Sequence, residues 1–333
     1  MARITVLIPV WNGEATLSAA LRSVARQSES DFECLVVDDG STDDSIAIAT
    51  AIAREDARFR VLRRPHQGIV ATLEAGQREA RAPLIARLDA DDWMHRHRLA
   101  KQAALLDARR DLEAVGSGVR LFPRSGLREG RRAYERWLNT LVTPERIWRE
   151  RFIECPVAHP ALMIRRARLD ALGYRDRGWP EDYDLLLRLL RRGPVIGTVP
   201  ERLLGWRDLP TRLSRTDPRC GLDRFTACRA HHLSRDFLAD APQYLLWGHG
   251  ATGKALRHEL AALGHRPAAI IEVHPGRLGN AIDGALVVPI EALEDRPPYP
   301  LVVSVAGATP RGEIRALLQT YGYREGIDYV CAA

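Results

Sequence analysis

Three carboxylates crowd into four positions of the stretch LIARLDADDW at 84–93, where Asp89, Asp91 and Asp92 follow an apolar run and precede Trp93. Two acids at alternate positions of an extended segment project to the same side. Asp89 and Asp91 so placed form a hard-oxygen site suited to Mg²⁺ or Mn²⁺. The competing reading is that loop aspartates cap the next helix, a role that fits Asp92. A second acidic pair, Asp38-Asp39, runs into Gly40-Ser41. A third, Glu181-Asp182, stands between Pro180 and an apolar, helix-spaced run. Acids gather in a first helical turn against the helix dipole without any chemistry. Further on, Gly248, Gly250 and Gly253 in GHGATGKA spell G-x-G-x-x-G, and Glu272 follows at the distance a dinucleotide fingerprint requires. The same letters read as G-x-x-x-x-G-K, but Ala255 replaces the metal-binding hydroxyl of a phosphate loop, which excludes ATP hydrolysis. A Rossmann-like unit that only docks or dimerises is the remaining alternative for this segment.

The elements that would position these residues alternate. Val6–Val10 reads as a strand and 14–27 has helical periodicity. FECLVVDDGS reads as a strand, TDDSIAIATAIARE as an amphipathic helix, RFRVLRR as a third strand and 68–80 as a third helix. APLIARLDADD is a fourth strand and 95–110 a fourth helix. Such alternation predicts an α/β fold, a mostly parallel sheet flanked by helices. Ligands then bind beyond the carboxyl ends of the strands. Asp38-Asp39 and Asp89-Asp91 both fall at such ends. Beyond about 145 the pattern loosens. VAHPALMIRR reads as a turn and strand, GWPEDYDLLLRLLRRG as a helix, and ERLLGWRDLPTRLS as a closing strand and loop. A new unit starts at QYLLWGHGATGKALRHELAALG and continues through PAAIIEV, ALVVP and LVVSVAG. The expected division is 1–215, a helical linker at 216–241, and a small Rossmann-like α/β domain at 242–333.

Composition sets outer bounds. The 333 residues are 46% hydrophobic and 28% charged, so a packed core is expected. No uninterrupted apolar run is long enough to span a bilayer. The N-terminal apolar run is short and strand-like, without a signal-peptide layout, and the five scattered cysteines show no framework spacing. Both fit a cytoplasmic protein. The net charge of +6 comes almost wholly from arginine, Lys101 and Lys254 being the two lysines. Arginines and tryptophans concentrate at 120–151. The reading preferred there is a solvated helical face; peripheral association with the inner face of a membrane stays open. No basic, aromatic-interleaved module for nucleic acid occurs.

Seven stretches together resemble the family-2 glycosyltransferases of GT-A fold: VLIPVWNGEATL, LVVDDGSTDDS, HQGIVATLEAG, LIARLDADDW, VAHPALMIRR, WPEDYDLLLRL and WRDLPTRLS. They lie within the first 215 or so residues, in the family's order. The resemblance implies a nucleotide-diphosphate sugar donor, UDP by default, a divalent metal (Mn²⁺ or Mg²⁺), and inversion at the anomeric carbon. It implies that Pro9 and Trp11 line the nucleobase pocket and that Asp39, with Asp38 beside it, meets the base or ribose. Gln67 and Gly68 match the segment beside the nucleotide, Arg87 pairs with an acid of the site, and Asp89 and Asp91 are the metal-binding D-x-D. The catalytic base falls in Glu181-Asp182, with Asp182 preferred. His159, Arg207 and Ser214 match segments near acceptor or diphosphate. Two departures stand out. Trp11 replaces a common Tyr, and ATLEAG replaces an Arg-Asn pair, so an arginine–diphosphate contact from that helix is not implied.

The implied acceptor is a saccharide or lipid-linked hydroxyl in cell-surface glycan synthesis. Two alternatives remain at this level. One is a nucleotide-sugar-binding or regulatory protein without transfer activity. The other is a bifunctional chain whose C-terminal domain binds NAD(P) at Gly248, Gly250, Gly253 and Glu272. That domain is also the expected route to any oligomer.

Overall fold

The computed structural model describes residues 2–210 and 212–333. The chain divides into two compact units. Arg149–Cys155, Gly178–Tyr183 and Leu213–Ala333 make the second, and the rest makes the first.

The first unit opens with β1 (Ile4–Val10), α1 (Glu14–Ala25), β2 (Phe32–Asp38), α2 (Ser45–Glu55), β3 (Phe59–Arg63), α3 (Ile69–Glu79) and β4 (Leu84–Arg87). There follow β5 (Trp93–Met94), α4 (Arg98–Ala108), β6 (Ala114–Phe122), α5 (Glu129–Leu138), α6 (Pro144–Glu150), β7 (Met163–Arg165), α7 (Arg166–Leu172), α8 (Glu181–Leu190) and β8 (Ile196–Arg207), of which Arg149 and Glu150 of α6 and Glu181–Tyr183 of α8 belong to the second unit. Eight strands form one sheet in the order β3-β2-β1-β4-β7-β6-β8-β5. The first four in that order are parallel, while β7 and β5 run antiparallel to their neighbours.

The apolar runs explain the centre of this sheet. Every residue of β1 and β2 is buried, as expected of parallel strands covered on both faces. Helix α1 lays Leu17, Ala20, Leu21 and Val24 against the core at helical spacing. The register aligns Val10 with Asp38, and Asp38 with Arg63, while Leu7 aligns with Arg87. Hence the loops after β1, β2, β3 and β4 leave one edge of the sheet, and the acidic stretches at 38–39 and 89–92 share that edge.

The second unit holds α9 (Leu213–Thr216), α10 (Leu222–Arg235), β9 (Gln243–Trp247), α11 (Ala251–Ala262), β10 (Arg266–Ile271), β11 (Ala281–Ile282), β12 (Ala285–Val288), β13 (Leu301–Val303), α12 (Ala308–Thr320) and β14 (Tyr329–Cys331). Its sheet runs β11-β12-β10-β9-β13-β14, all parallel except β11. The strand order reverses between β9 and β13, the place where a doubly wound sheet opens a crevice. Helix α10 is tied in by Arg229, whose guanidinium donates to the carbonyls of Ala332 (3.0 Å) and Ile153 (2.9 Å). No helix among the described residues is long and apolar enough to cross a membrane.

Candidate active site

The first cluster forms where β1, β2 and the loop after β3 meet. Asp38 and Asp39 are both buried, but their carboxylates do different things. Asp38 accepts from the backbone N–H of Gly40 and Ser41 and so shapes its own turn. Asp39 reaches across to the next loop, accepting from the N–H of Gln67 (3.0 Å) and Gly68 (2.8 Å). His66 Nδ1 stands 2.9 Å from Asp39 Oδ2, and the His66 ring stacks on Trp11 with centroids 4.5 Å apart. Pro9 is buried inside β1, so Trp11, 54% exposed, is the member of that pair that presents a surface. A partly exposed indole, stacked on His66 beside an anchored carboxylate, suits a planar heterocycle that carries N–H or O–H donors. His66 opens the stretch HQGIVATLEAG, and its contacts to Trp11 and Asp39 are made only by the fold.

The second cluster follows β4. Residues 89–92 form a turn closed by the Asp92 N–H to the Asp89 carbonyl (3.2 Å), not the extended segment expected for Asp89 and Asp91. The turn brings three carboxylates together, with one oxygen each of Asp89, Asp91 and Asp92 within 4.8 Å of one another. Asp92 is not a helix cap. Its Oδ1 accepts from the N–H of Arg207 at the end of β8 (2.7 Å), and α4 begins only at Arg98. Arg87, 2% exposed, donates to the carbonyls of Leu7 and Leu88 and to Asp89 Oδ1 (2.7 Å), realising the ion pair expected of it. Beneath it Arg98 is fully buried, and that burial pushes its guanidinium down to about 9.

Burial and mutual repulsion dominate the electrostatics of this turn, although arginines surround it. Burial, then the neighbouring Asp89, raises Asp91 above the ordinary carboxylate value. Burial raises Asp92 well above it, and its Oδ2 has no hydrogen-bond partner. Arg212 reaches Asp89 (3.6 Å) and Asp91 (3.9 Å) without closing either contact to hydrogen-bond distance. Three clustered carboxylates with oxygens to spare fit a divalent cation. Arg212 was not singled out from sequence, though it lies in the quoted WRDLPTRLS. Arg207, expected near acceptor or diphosphate, braces the turn: its Nε donates to the Asp91 carbonyl (2.7 Å).

The remaining expected residues lie on other elements. His159 is buried in a 3₁₀ turn, with Nε2 3.0 Å from the Tyr174 hydroxyl. Burial, aided by the charge of Arg87, holds its pKa well below the ordinary histidine value. Glu181 and Asp182 open α8 as expected, and both belong to the second unit. Asp182 Oδ1 lies 2.7 Å from the Tyr183 N–H, and the buried Tyr183 hydroxyl donates to the Arg151 carbonyl (2.8 Å). Cys220 is pushed up to about 12 by burial and by the charges of Asp182 and Glu181. Ser214 is exposed in α9 of the second unit.

Gly248, Gly250 and Glu272 line one cavity of about 590 Å³ in the second unit, and Gly253 packs against the Gly248 carbonyl below it. The spacing that suggested a phosphate-binding turn thus gathers at the carboxyl ends of β9 and β10.

Comparison with known proteins matches residues 5–173 to the model of Glycosyl transferase family 2. WbnJ of Escherichia coli, an O-antigen biosynthesis glycosyltransferase, is 29% identical over 221 residues, 61% of this chain and 79% of WbnJ. EpsE of Bacillus subtilis (strain 168) is 29% identical over 197 residues, 57% of this chain and 68% of EpsE. The match to EpsH of the same strain, 36% identical, spans only 26% of that protein. Among solved structures, S. aureus TarS in complex with UDP-GlcNAc has a TM-score of 0.57 at 16% identity, covering 78% of this chain and 72% of that one. The mannosyltransferase PcManGT from Pyrobaculum calidifontis, in complex with GDP-Man and Mn²⁺, has a TM-score of 0.52 at 20% identity, covering 78% and 69%. At such identities the two structures speak to the fold.

Proposed function

The chain belongs to glycosyl transferase family 2, and we propose that it moves a sugar, with inversion, from a UDP-sugar to a hydroxyl of a saccharide or glycolipid acceptor in surface-glycan synthesis. One observation carries the reading. The Asp39–Trp11 cluster and the Asp89–Asp91–Asp92 turn leave the same edge of one parallel sheet, so a single nucleotide can reach both. Trp11 offers a stacking face to the base, and Asp39, held by the Gln67 and Gly68 amides, accepts from a base N–H or ribose hydroxyl.

Asp89 and Asp91 would hold the cation, with Arg87 occupying one oxygen of Asp89 and so turning the other outward. Bound there, a divalent metal supplies charge stabilisation for a leaving diphosphate. Asp92 ties the turn to β8, and Arg207 fixes the Asp91 backbone, so the turn is braced from two sides. Arg212, held by the Arg207 carbonyl and the Trp206 ring, adds a positive charge near the same carboxylates.

In the transfer, the bond from the anomeric carbon to the β-phosphate oxygen breaks and a bond to the acceptor oxygen forms. The acceptor proton passes to a carboxylate on the opposite face. Asp182 is the proposed base, with Glu181 beside it. The start of α8 stabilises a carboxylate and lowers its basicity. An acceptor carried on a lipid would be met by peripheral attachment to the inner membrane face. The name of WbnJ supports a polysaccharide product.

Calorimetric titration with UDP, with and without Mn²⁺, tests the donor site. Metal-dependent binding that disappears in Asp91→Ala is the expected result. Screening UDP-sugars with saccharide acceptors tests turnover. UDP binding with no consumption of any UDP-sugar would favour a binding protein without transfer activity. No metal-dependent UDP binding would overturn the donor assignment.

A further inference from the structure

The cavity of the second unit takes no part in the reaction above. Its floor is the carboxyl ends of three neighbouring parallel strands: Gly248–Gly250 after β9, Glu272 after β10 and Ser304 after β13. It opens where the strand order reverses, the place where an α/β sheet receives its ligands. At about 590 Å³ it can enclose a molecule of nucleotide size.

Two buried polar atoms in its wall have nothing to bond. His249 is 5% exposed and Ser304 4% exposed, and neither His249 Nε2 nor Ser304 Oγ has a partner. Unpaired polar atoms in a buried wall are costly unless a ligand or water meets them. The backbone beside them is arranged for close approach. Gly248 adopts φ +96°, and a Cβ on Gly253 would stand 2.1 Å from the Gly248 carbonyl oxygen, so α11 is pressed against the turn. At Gly250, by contrast, a Cβ would meet nothing within 4 Å, so space opens directly over the N-terminus of α11. The first N–H groups of that twelve-residue helix have no acceptor within it and point toward negative charge.

Across the cavity, Glu272 is held in place. Its Oε1 accepts from the Val273 N–H (3.0 Å) and its Oε2 pairs with Arg277 (2.7 Å). A fixed carboxylate one strand over from a glycine turn is an acceptor for a ribose diol. Val273, 65% exposed, and Ile290 provide an apolar wall beyond it. Glu313 lines the α12 side, and no group of three metal-ligating side chains lies in the cavity among the described residues.

We infer that the second unit binds a nucleoside 5′-diphosphate group without a divalent cation, its phosphates over Gly248–Gly250 and its ribose at Glu272. His249 and Ser304 complete the phosphate side, and the base lies against Val273 and Ile290. Free nucleoside diphosphates, nucleotide sugars and dinucleotides share this group.

The test uses the full chain carrying Asp89→Asn and Asp91→Asn, in EDTA, so that the first unit's metal-dependent site is silent. Calorimetry with ADP, UDP and NADH is expected to give one equivalent of binding for at least one of them. Preference for NADH would identify a dinucleotide site, and preference for UDP or ADP a mononucleotide site. Gly250→Asp is the decisive variant. Gly250 has extended backbone angles (φ −75°, ψ −167°) and an open Cβ position, and Asp is a favoured helix cap, so folding and melting temperature should be preserved. The added carboxylate would repel phosphate, lowering affinity by about tenfold or more. No binding of any of the three probes, or binding that Gly250→Asp leaves unchanged, would overturn the inference. Because these measurements exclude metal and the first unit's carboxylates, their failure leaves the proposed donor site standing.

Discussion

The turn after β4 and the turn after β9 occupy equivalent places, each at the carboxyl end of a central parallel strand, yet they carry opposite electrostatics. The first packs three carboxylates within 4.8 Å and surrounds them with Arg87, Arg98, Arg207 and Arg212. The second has three glycines, a helix N-terminus and two unpartnered polar side chains, with Glu272 already paired. Under the proposed function, the first would meet a diphosphate through a cation. The second can meet a phosphate directly with N–H groups. Strand-end topology chooses where a ligand goes, and side-chain charge chooses by what intermediary.

The sharpest break in this comparison is Asp91→Ala. It is expected to abolish Mn²⁺-dependent UDP binding and to cut transfer by about 10³-fold or more, since charge stabilisation of the leaving group is lost. Metal-free nucleotide binding at Gly248–Gly250 should be untouched. If both fell together, the two turns would not be separate sites. Asp182→Asn removes the proposed base and should lower kcat by about 10²–10⁴-fold. Donor binding should persist, so steady-state kinetics with parallel calorimetry separates the base from the donor pocket. An unchanged kcat would move the base elsewhere.

Asp92→Asn tests the charge crowding itself. The folded-state pKa of Asp92 is raised, so the carboxylate costs stability once ionised. Its contribution is fully present below the ordinary value of 3.8 and is lost as pH rises through the folded value. Without metal, the Asn variant should therefore melt higher than the parent near neutral pH, and the gap should close in acid. A gap independent of pH would refute the crowding account. By the same sign, cation affinity should fall as pH drops through the raised value of Asp91. The smallest effect is expected at Trp11. Trp11→Tyr keeps an aromatic face and should change UDP affinity less than about threefold, whereas Trp11→Ala should cost about 1–2 kcal/mol by titration.

Much of the first unit was legible because its signals are local. Short apolar runs ending in acids, separated by amphipathic helices, predict parallel strands with loops on one edge, and β1 to β4 follow that pattern. The turn and strand read in VAHPALMIRR are the 3₁₀ turn at His159–Ala161 and β7, whereas β5 escaped because two residues carry no periodicity. Arg212 and His66 escaped selection because nothing in their neighbours marks them. Each matters through a contact across the chain, to Asp89 and Asp91 or to Trp11 and Asp39.

The sequence by itself determined the α/β alternation, the acids at strand ends, the glycine spacing at 248–253 and membership of a family. Those follow from residue type and short-range spacing, which a linear chain displays directly. Tertiary structure alone decided that Asp92 joins β8 instead of capping a helix and that Arg207 braces a turn. It also decided that Asp38 serves its own loop while Asp39 serves the next, and that His249 and Ser304 face one cavity without partners. The physical reason is common to all four: a polar atom's role is set by which donors and acceptors lie within about 3 Å. That distance is closed by strands and loops far apart in sequence.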